Sequence, residues 1–525
     1  MLTLQNASLD WALQHAINYG DTDVFPRPFE YEAIQYDWAN VKQYLLQQDI
    51  FKWQVRPNRI ILSPKAKYGF RVITQLDPLD FLIFTALVKE IGTDIEQERI
   101  SINEQRVFSY RFDPDTDGKF FNQDIGYAQF QEQTQLIIEC NPEITHVVVA
   151  DIADFYSRIY LHRLENALQG AATSKISHVK AIMHLLSGWN GTETFGIPVG
   201  SASSRMLAEI TISDVDEALL ANRVNFVRFN DDYRIFASSY EEAYRHLAFL
   251  ADILCKNHGL TLQSKKTLIL AEEVFRRRFL STLEDQEIIS LRATFGSLLN
   301  NLGLNLYSQI EYDDLDSNQQ EIVNSLNLQQ ILLEEINSPT EPDFGIVKFV
   351  LRRLGQLSDS SVLDMVLDNL NSLYPVFPDI MKYISSIRNF SSEQRIEIGE
   401  RILRLVDDSI ISELEYHRIW ALDLFTHSVE WSNGDRFFSL LGNARETHSK
   451  RKLILAMGRA KQRHWFQSQW RSLFNEPDWS RRALLAGISC LPQDARKHLY
   501  RSVEPRLDEL EKAVVCWAKN NPFAT

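Results

Sequence analysis

Cysteine is scarce: there are four in 525 residues, at Cys140, Cys255, Cys490 and Cys516, and no CxxC pair among them. That scatter argues against a disulfide framework or a thiolate zinc site and fits a reducing, cytoplasmic setting. No apolar run approaches the roughly 20 residues needed to span a bilayer, so no membrane partner is expected. The opening stretch, Met1 to Asn6, has neither a basic segment nor an apolar core, and no signal peptide is expected. An excess of positive charge is missing too. Lys and Arg number 55 against 70 Asp and Glu, a net charge of −15. A broad, non-specific duplex binder is thereby disfavoured. A nucleic-acid protein with a local basic channel is not, and local candidates exist at Lys65/Lys67/Arg71, Lys265/Lys266, Arg276 to Arg278 and Arg352/Arg353.

What is present is ordinary globular material, 45% apolar and 24% charged, enough for two or three domains with more than one core. Residues 1–58 read as a helical extension with loops. From Arg59 the pattern becomes mixed. Two β-like segments, Arg59–Leu62 and Phe70–Ile73, flank a basic loop and lead into an apolar helix from Leu79 to Val88. Residues 113–124 have a loosely calcium-like carboxylate spacing, but Pro114 intrudes and a plain turn is the better reading. His146–Ala150 is a short β-rich run that fits a buried strand. Gly196-Ile-Pro-Val-Gly200 is a turn leading into a helix from Ser203 to Ala221. A further helix, Glu241–His258, meets a stop signal at Gly259. After Asn337–Pro342, a linker-like break, the chain reads as almost wholly helical, with apolar faces such as Val347, Val350, Leu351 and Leu354. The recurrence of such faces suggests a HEAT-like stack of helix pairs, with an irregular helical bundle as the alternative.

The chemistry concentrates in two places. Phe229-Asn230-Asp231-Asp232 lies between two β-forming runs within Asn225–Ala237, which predicts a hairpin whose turn presents both acids. An isolated Asp-Asp pair is usually a solvated turn. Here a third acid, Asp151, ends a separate predicted strand upstream. One acid at a strand end and two on a neighbouring hairpin can together hold two divalent ions. Magnesium suits such a site because it takes oxygen ligands and keeps several waters, so few carboxylates suffice.

These segments resemble the motifs of reverse transcriptases, in order along the chain. Asp151-Ile-Ala-Asp-Phe-Tyr156 looks like the first catalytic motif, and Gly196 to Glu209 like the second. Phe229–Asp232 looks like the third, and Gly259 to Thr267, with a lysine before its threonine, like the fourth. Tyr68–Ile73 with Asp77–Asp80 is similar to the fingers motif. The resemblance implies an α+β fold: reverse-transcriptase fingers and palm over 59–290, connecting helices and a linker over 291–342, and an all-α HEAT-like repeat domain over 343–525. It implies that Asp151, Asp231 and Asp232, with the backbone of Ile152, hold two Mg²⁺ ions, for which Mn²⁺ can substitute. Tyr156 would be the aromatic gate that blocks a 2′-OH; the alternative is a core tyrosine. Arg71, helped by Lys65 or Lys67, would contact the triphosphate. Lys266 would protonate or neutralise the leaving pyrophosphate, unless it is a surface lysine at a turn. Pro198 and Gly200 would shape the platform beneath template and nucleotide.

Val199 and Asn230 depart from the intron-encoded pattern, which usually has Gln and Ala there. With the long helical tail, they look like the bacterial abortive-infection, defence-associated reverse transcriptases. That resemblance implies a cytoplasmic nucleotidyltransferase that takes dNTPs, makes single-stranded DNA without a template from a protein hydroxyl, self-associates and acts against phage. The alternatives are templated cDNA synthesis from a partner RNA and a catalytically vestigial binding scaffold. Arg459 and His464 have the Arg-x4-His spacing of some helical nucleases, but Ala460 departs from that motif and coincidence is the better reading.

Overall fold

The computed structural model describes residues 1–66, 69–280, 327–338, 342–431, 433–444 and 446–523. Lys67, Tyr68 and most of the expected connecting segment 291–342 lie outside the described residues. The chain divides into two compact units. The first takes Met1–Asp23, Leu46–Ile60 and Val72–Gln309. The second takes Val24–Leu45, Ile61–Arg71 and Ile310–Thr525. The fold is α+β, with strands and helices early in the chain and helices alone after residue 327 among the described residues.

Two strands, β1 (Arg59–Ala66) and β2 (Gly69–Gln75), pair as a separate ribbon. The helix Pro78–Glu98 follows. Its start obeys local chemistry: the Asp77 side chain accepts from Leu79 N–H, and Pro78 occupies the first turn, where its missing N–H costs nothing. The core of the first unit is a four-stranded antiparallel sheet made of β3 (His146–Asp151), β4 (Asn225–Phe229), β5 (Asp232–Ala237) and β6 (Leu268–Ala271), in the order β4-β5-β3-β6. Strand alternation sends Val147, Val227 and Phe236 into one apolar cluster with Phe130, Ile137 and Ile138 of the helix Tyr127–Cys140. The predicted helix 203–221 is in fact two, Ala202–Thr211 and Ser213–Ala221, broken at Ile212. The helical segment that begins at Tyr240 runs through His258 and stops at Gly259, whose φ of +64° is left-handed. A Cβ at Gly259 would also collide with the Tyr160 ring.

In the second unit the helices beginning at residues 344, 377, 415, 447, 478 and 509 each pack on the next in that order. Each buries an apolar stripe; Val347, Val350, Leu351 and Leu354 are all buried. Glu30, on the helix Glu30–Tyr36, is fully buried and takes Arg451 at 2.7 Å and Arg482 at 2.8 Å. Such a carboxylate is tolerated inside only because both guanidinium groups reach it. The four cysteines are all free. No described helix is long and apolar enough to cross a membrane.

Candidate active site

Strand register creates the site. In the β3–β5 pair Asp151 lies directly opposite Asp232, and alternation puts both side chains on the sheet face that carries Val147 and Phe236. Only Asn230 and Asp231 connect β4 to β5. Asn230 takes the strained position of that turn, at φ +56°, a conformation that asparagine tolerates better than most residues. Asp231 is thus held one residue from Asp232, and its carbonyl accepts from Ile152 N–H at 3.0 Å. Like charges directly across a ladder repel. Burial, then Asp231, then Asp151 push the Asp232 carboxyl up to about 7, against the pull of Lys266 and Arg234.

Two of the three acids are held by neighbours. Lys266 Nζ lies 2.7 Å from Asp151 Oδ2, on a side chain that is half exposed where that of Asp151 is buried. Asn230 Nδ2 donates to Asp231 Oδ1 at 2.7 Å. Among the described residues no three acidic, histidine or cysteine side chains form a ready-made metal cage, and two of the acids each turn a carboxylate oxygen toward a protein donor. The donor set is nonetheless all oxygen, anionic and crowded, which fits a hard divalent cation that keeps part of its water shell.

The structure brings Tyr156 into the same cluster. Its hydroxyl donates to Asn230 Oδ1 at 3.1 Å. Asn230 therefore uses its carbonyl on Tyr156 and its amide on Asp231, and only that orientation satisfies both. Burial, with the nearby Tyr110, Asp231 and Glu209, keeps the Tyr156 hydroxyl protonated, against the pull of Arg205. The Gly196–Gly200 turn lies alongside: Ile197 N–H donates to Tyr156 O at 3.0 Å, and Thr74 N–H of β2 reaches Val199 O at 3.4 Å. Pro198 is buried and Gly200 half-buried, with Gly196 and Gly200 at φ +91° and +123°. Lys65 and Arg71 belong to the ribbon segment Ile61–Arg71 of the second unit. There Arg71 lies in electrostatic reach of Lys348 and Tyr416.

Sequence reasoning missed the group beneath the hairpin. Arg228 of β4 is buried, with Nη2 2.5 Å from Asp216 and 3.0 Å from Glu209. Its Nη1 donates to Asn230 O at 2.8 Å, so the same guanidinium grips the turn. Glu209 also takes Arg99 at 2.6 Å and the Ser109 hydroxyl at 2.6 Å. Burial opposes charge on Glu209, but Arg228 and Arg99 outweigh it and hold its carboxyl below the usual range. The available signal was a charged residue inside an apolar stretch: Glu209 follows Met206, Leu207 and Ala208, all buried.

Residues 64–287 match the family model described as reverse transcriptase (RNA-dependent DNA polymerase). Residues 64–287 form a reverse transcriptase domain. That domain is of the RNA-dependent DNA polymerase type, a class of nucleotidyltransferase. No curated protein matches the chain. Among solved structures, the telomerase of Candida albicans in complex with a TWJ fragment of telomeric RNA is 14% identical, over 74% of this chain and 71% of that one, with a TM-score of 0.33. The apo telomerase of Candida tropicalis is 11% identical over 73% of each chain, with a TM-score of 0.31. At such scores the likeness says nothing about template or partner. In the reverse transcriptase domain, Asp151, Asp231, Asp232, Tyr156, Asn230 and Lys266 form one cluster.

Proposed function

We propose that the chain adds dNTPs to a hydroxyl by two-metal catalysis, and that Asp151, Asp231 and Asp232 hold the metals with the backbone of Ile152. The observation that carries this reading is the cross-strand register of Asp151 and Asp232, with Asp231 fixed in the connecting turn. Two Mg²⁺ ions, or Mn²⁺ in their place, would activate the attacking hydroxyl and neutralise the triphosphate. The chain's own residues do the rest. Tyr156, tethered by Asn230, presents its ring as the filter against a 2′-OH. Pro198 and Gly200 shape the adjoining platform. Lys266, placed at Asp151, would protonate or neutralise the leaving pyrophosphate. For Arg71 and Lys65 the support remains the family resemblance, which implies contacts to the triphosphate.

The finer reading is untemplated, protein-primed synthesis in an abortive-infection defence by a self-associating cytoplasmic enzyme. Its support is the Val199 and Asn230 variants together with the long helical region. The test uses full-length protein stripped of nucleic acid by nuclease and supplied with labelled dNTPs and Mg²⁺ or Mn²⁺ only. DNA covalently attached to protein, lost in Asp151→Asn and Asp232→Asn, is the expected result. Strict dependence on added RNA would replace the untemplated reading with templated copying. No incorporation under any primer or template condition would leave a binding scaffold.

A further inference from the structure

Between Glu446 and Glu476 the chain has seven Lys and Arg residues and no acid, in a protein whose net charge is −15. Four of the seven are spent inside the second unit. Lys450 takes Glu476 at 2.7 Å, Arg451 takes Glu30, Lys452 takes Asp423, and Arg459 takes the Thr426 carbonyl. The other three, Lys461, Arg463 and Arg471, are exposed.

A cation from another helix meets Arg463. The helix Arg463–Gln469 packs on the short turn Ile488–Cys490, and the helix Gln493–Val503 follows that turn. Arg463 Nε donates to Cys490 O at 3.1 Å, and Arg496 Nη1 donates to Ser489 O at 3.2 Å. The turn is buried, and Ser489 Oγ fixes it by accepting from Phe523 N–H at 3.1 Å. Two guanidinium groups therefore hang from consecutive carbonyls, and among the described residues neither has a carboxylate partner. Each spends one nitrogen on its carbonyl and keeps the rest of its fork. In Arg463 both Nη groups remain, the pair that grips phosphate with two parallel bonds.

Two lysines flank this pair. Lys497, next to Arg496, is exposed, and Asp494 is the only acid of that helix against Arg496, Lys497 and Arg501. Lys461, two residues before Arg463, ends the helix Thr447–Arg459 at φ +57°, with its N–H on Gly458 O at 3.1 Å. Glycine is the usual residue at such an end because it bears left-handed φ without strain. This chain puts a cation there instead.

We propose that Lys461, Arg463, Arg496 and Lys497 form a surface that binds the phosphate backbone of a nucleic-acid strand. Forked guanidinium groups and ammonium point charges together suit phosphate oxygens. An exposed basic cluster, even on an acidic chain, is the local field that draws such a strand. The surface lies wholly on the second unit. It is independent of the two-metal reading, because its binding is measured in EDTA and without incorporation.

The test uses the full-length chain in EDTA, with anisotropy of labelled oligothymidylate and oligouridylate over a range of NaCl concentrations. The double variant Arg463→Gln/Arg496→Gln is expected to bind about 10-fold more weakly. Its plot of log affinity against log salt should be shallower by about 1.4, at roughly 0.7 for each phosphate no longer neutralised. Lys461→Gly should weaken binding severalfold while its melting temperature holds or rises, a combination that misfolding cannot produce. Acetylation mapped by mass spectrometry should find Lys461 and Lys497 protected by oligonucleotide, and Lys512, paired with Glu509, unprotected. Tighter binding of one oligonucleotide assigns the strand to DNA or to RNA, and equal binding shows that the phosphates alone are read. Arg401→Gln, at the exposed pairs with Asp364 and Asp368, is the charge control. The proposal is overturned if the double variant matches that control, or if Lys461 and Lys497 stay unprotected. A double variant that binds like the control but self-associates less in sedimentation would give the surface to an acidic face of a second copy instead.

Discussion

Replacing Arg228 by Met should separate the stability of the reverse transcriptase domain from the geometry of the Asn230–Asp231 turn. The Arg228 side chain is 1% exposed and that of Asp216 3%. Arg228→Met removes the grip on Asp216, the 3.0 Å ion pair with Glu209 and the bond to Asn230 O. Glu209 keeps Arg99 at 2.6 Å, so the loss falls on Asp216, left with the Tyr233 hydroxyl at 3.3 Å. Breaking a buried pair from one side costs about 3–5 kcal/mol. In a domain of this size each kcal/mol moves the midpoint by about 2–4 °C, so a fall of roughly 6–20 °C is expected. The double variant Arg228→Met/Asp216→Leu replaces the pair with apolar groups, and such exchanges are often neutral. Thermal melts should therefore show most of the loss recovered. Metal-dependent dNTP incorporation should not recover, because the Asn230 carbonyl still lacks its anchor and the turn holding Asp231 is loosened. A cost below about 1 kcal/mol for the single variant, or full activity in the double, would refute this assignment of Arg228.

Tyr156→Ala should admit ribonucleotides, improving their incorporation relative to dNTPs by about 10- to 100-fold, whereas Tyr156→Phe keeps the ring and most of the discrimination. Asn230→Ala, which cuts the Tyr156 tether while leaving the ring in place, should fall between them in a competition assay. His15 is buried beside Trp11, Phe81 and Phe120, and burial lowers its pKa to about 4 despite its bond to the Gly118 carbonyl. The unfolded chain takes that proton near pH 6.5, so this contribution is whole above pH 6.5 and is lost progressively toward pH 4. Roughly 3 kcal/mol is at stake at 1.36 kcal/mol per unit, and His15→Gln should flatten the acid limb of a melting curve against pH. Arg459 is spent on the Thr426 carbonyl at 3.0 Å and on the Phe523 ring at 4.1 Å, so His464→Ala should leave both the melting temperature and any defence phenotype unchanged.

Elements whose identity depends on near neighbours in sequence were legible. The Asn225–Ala237 hairpin was readable because β-forming runs flank a two-residue turn, and β3 because His146–Ala150 is short, apolar and β-branched. The stop at Gly259 followed from glycine's access to left-handed φ. The break at Ile212 was not readable. Ser203–Ala221 keeps helical periodicity through it, and the division follows from two different packing partners: the Pro78–Glu98 helix for the first half and β4 for the second. Register decided the site. Sequence placed Asp151 at one strand end and Asp232 at another, but only the pairing of β3 with β5 sets them face to face.

Charge was the least legible property, for a reason the structure makes physical. A basic residue in a sequence looks the same whether it meets solvent, a carboxylate or a ligand. Arg99, Arg228, Arg451 and Arg482 are buried against Glu209, Asp216 and Glu30, so they neutralise acids inside and add nothing to an external field. Arg352, a candidate for a local basic footprint, lies instead 3.6 Å from the buried carboxylate of Asp379, which Lys348 approaches at 3.9 Å. Net charge counts a buried, paired arginine and an exposed one alike, whereas a phosphate meets only the exposed one. A net charge of −15 therefore does not decide whether such a chain attracts nucleic acid; the placement of its exposed cations does.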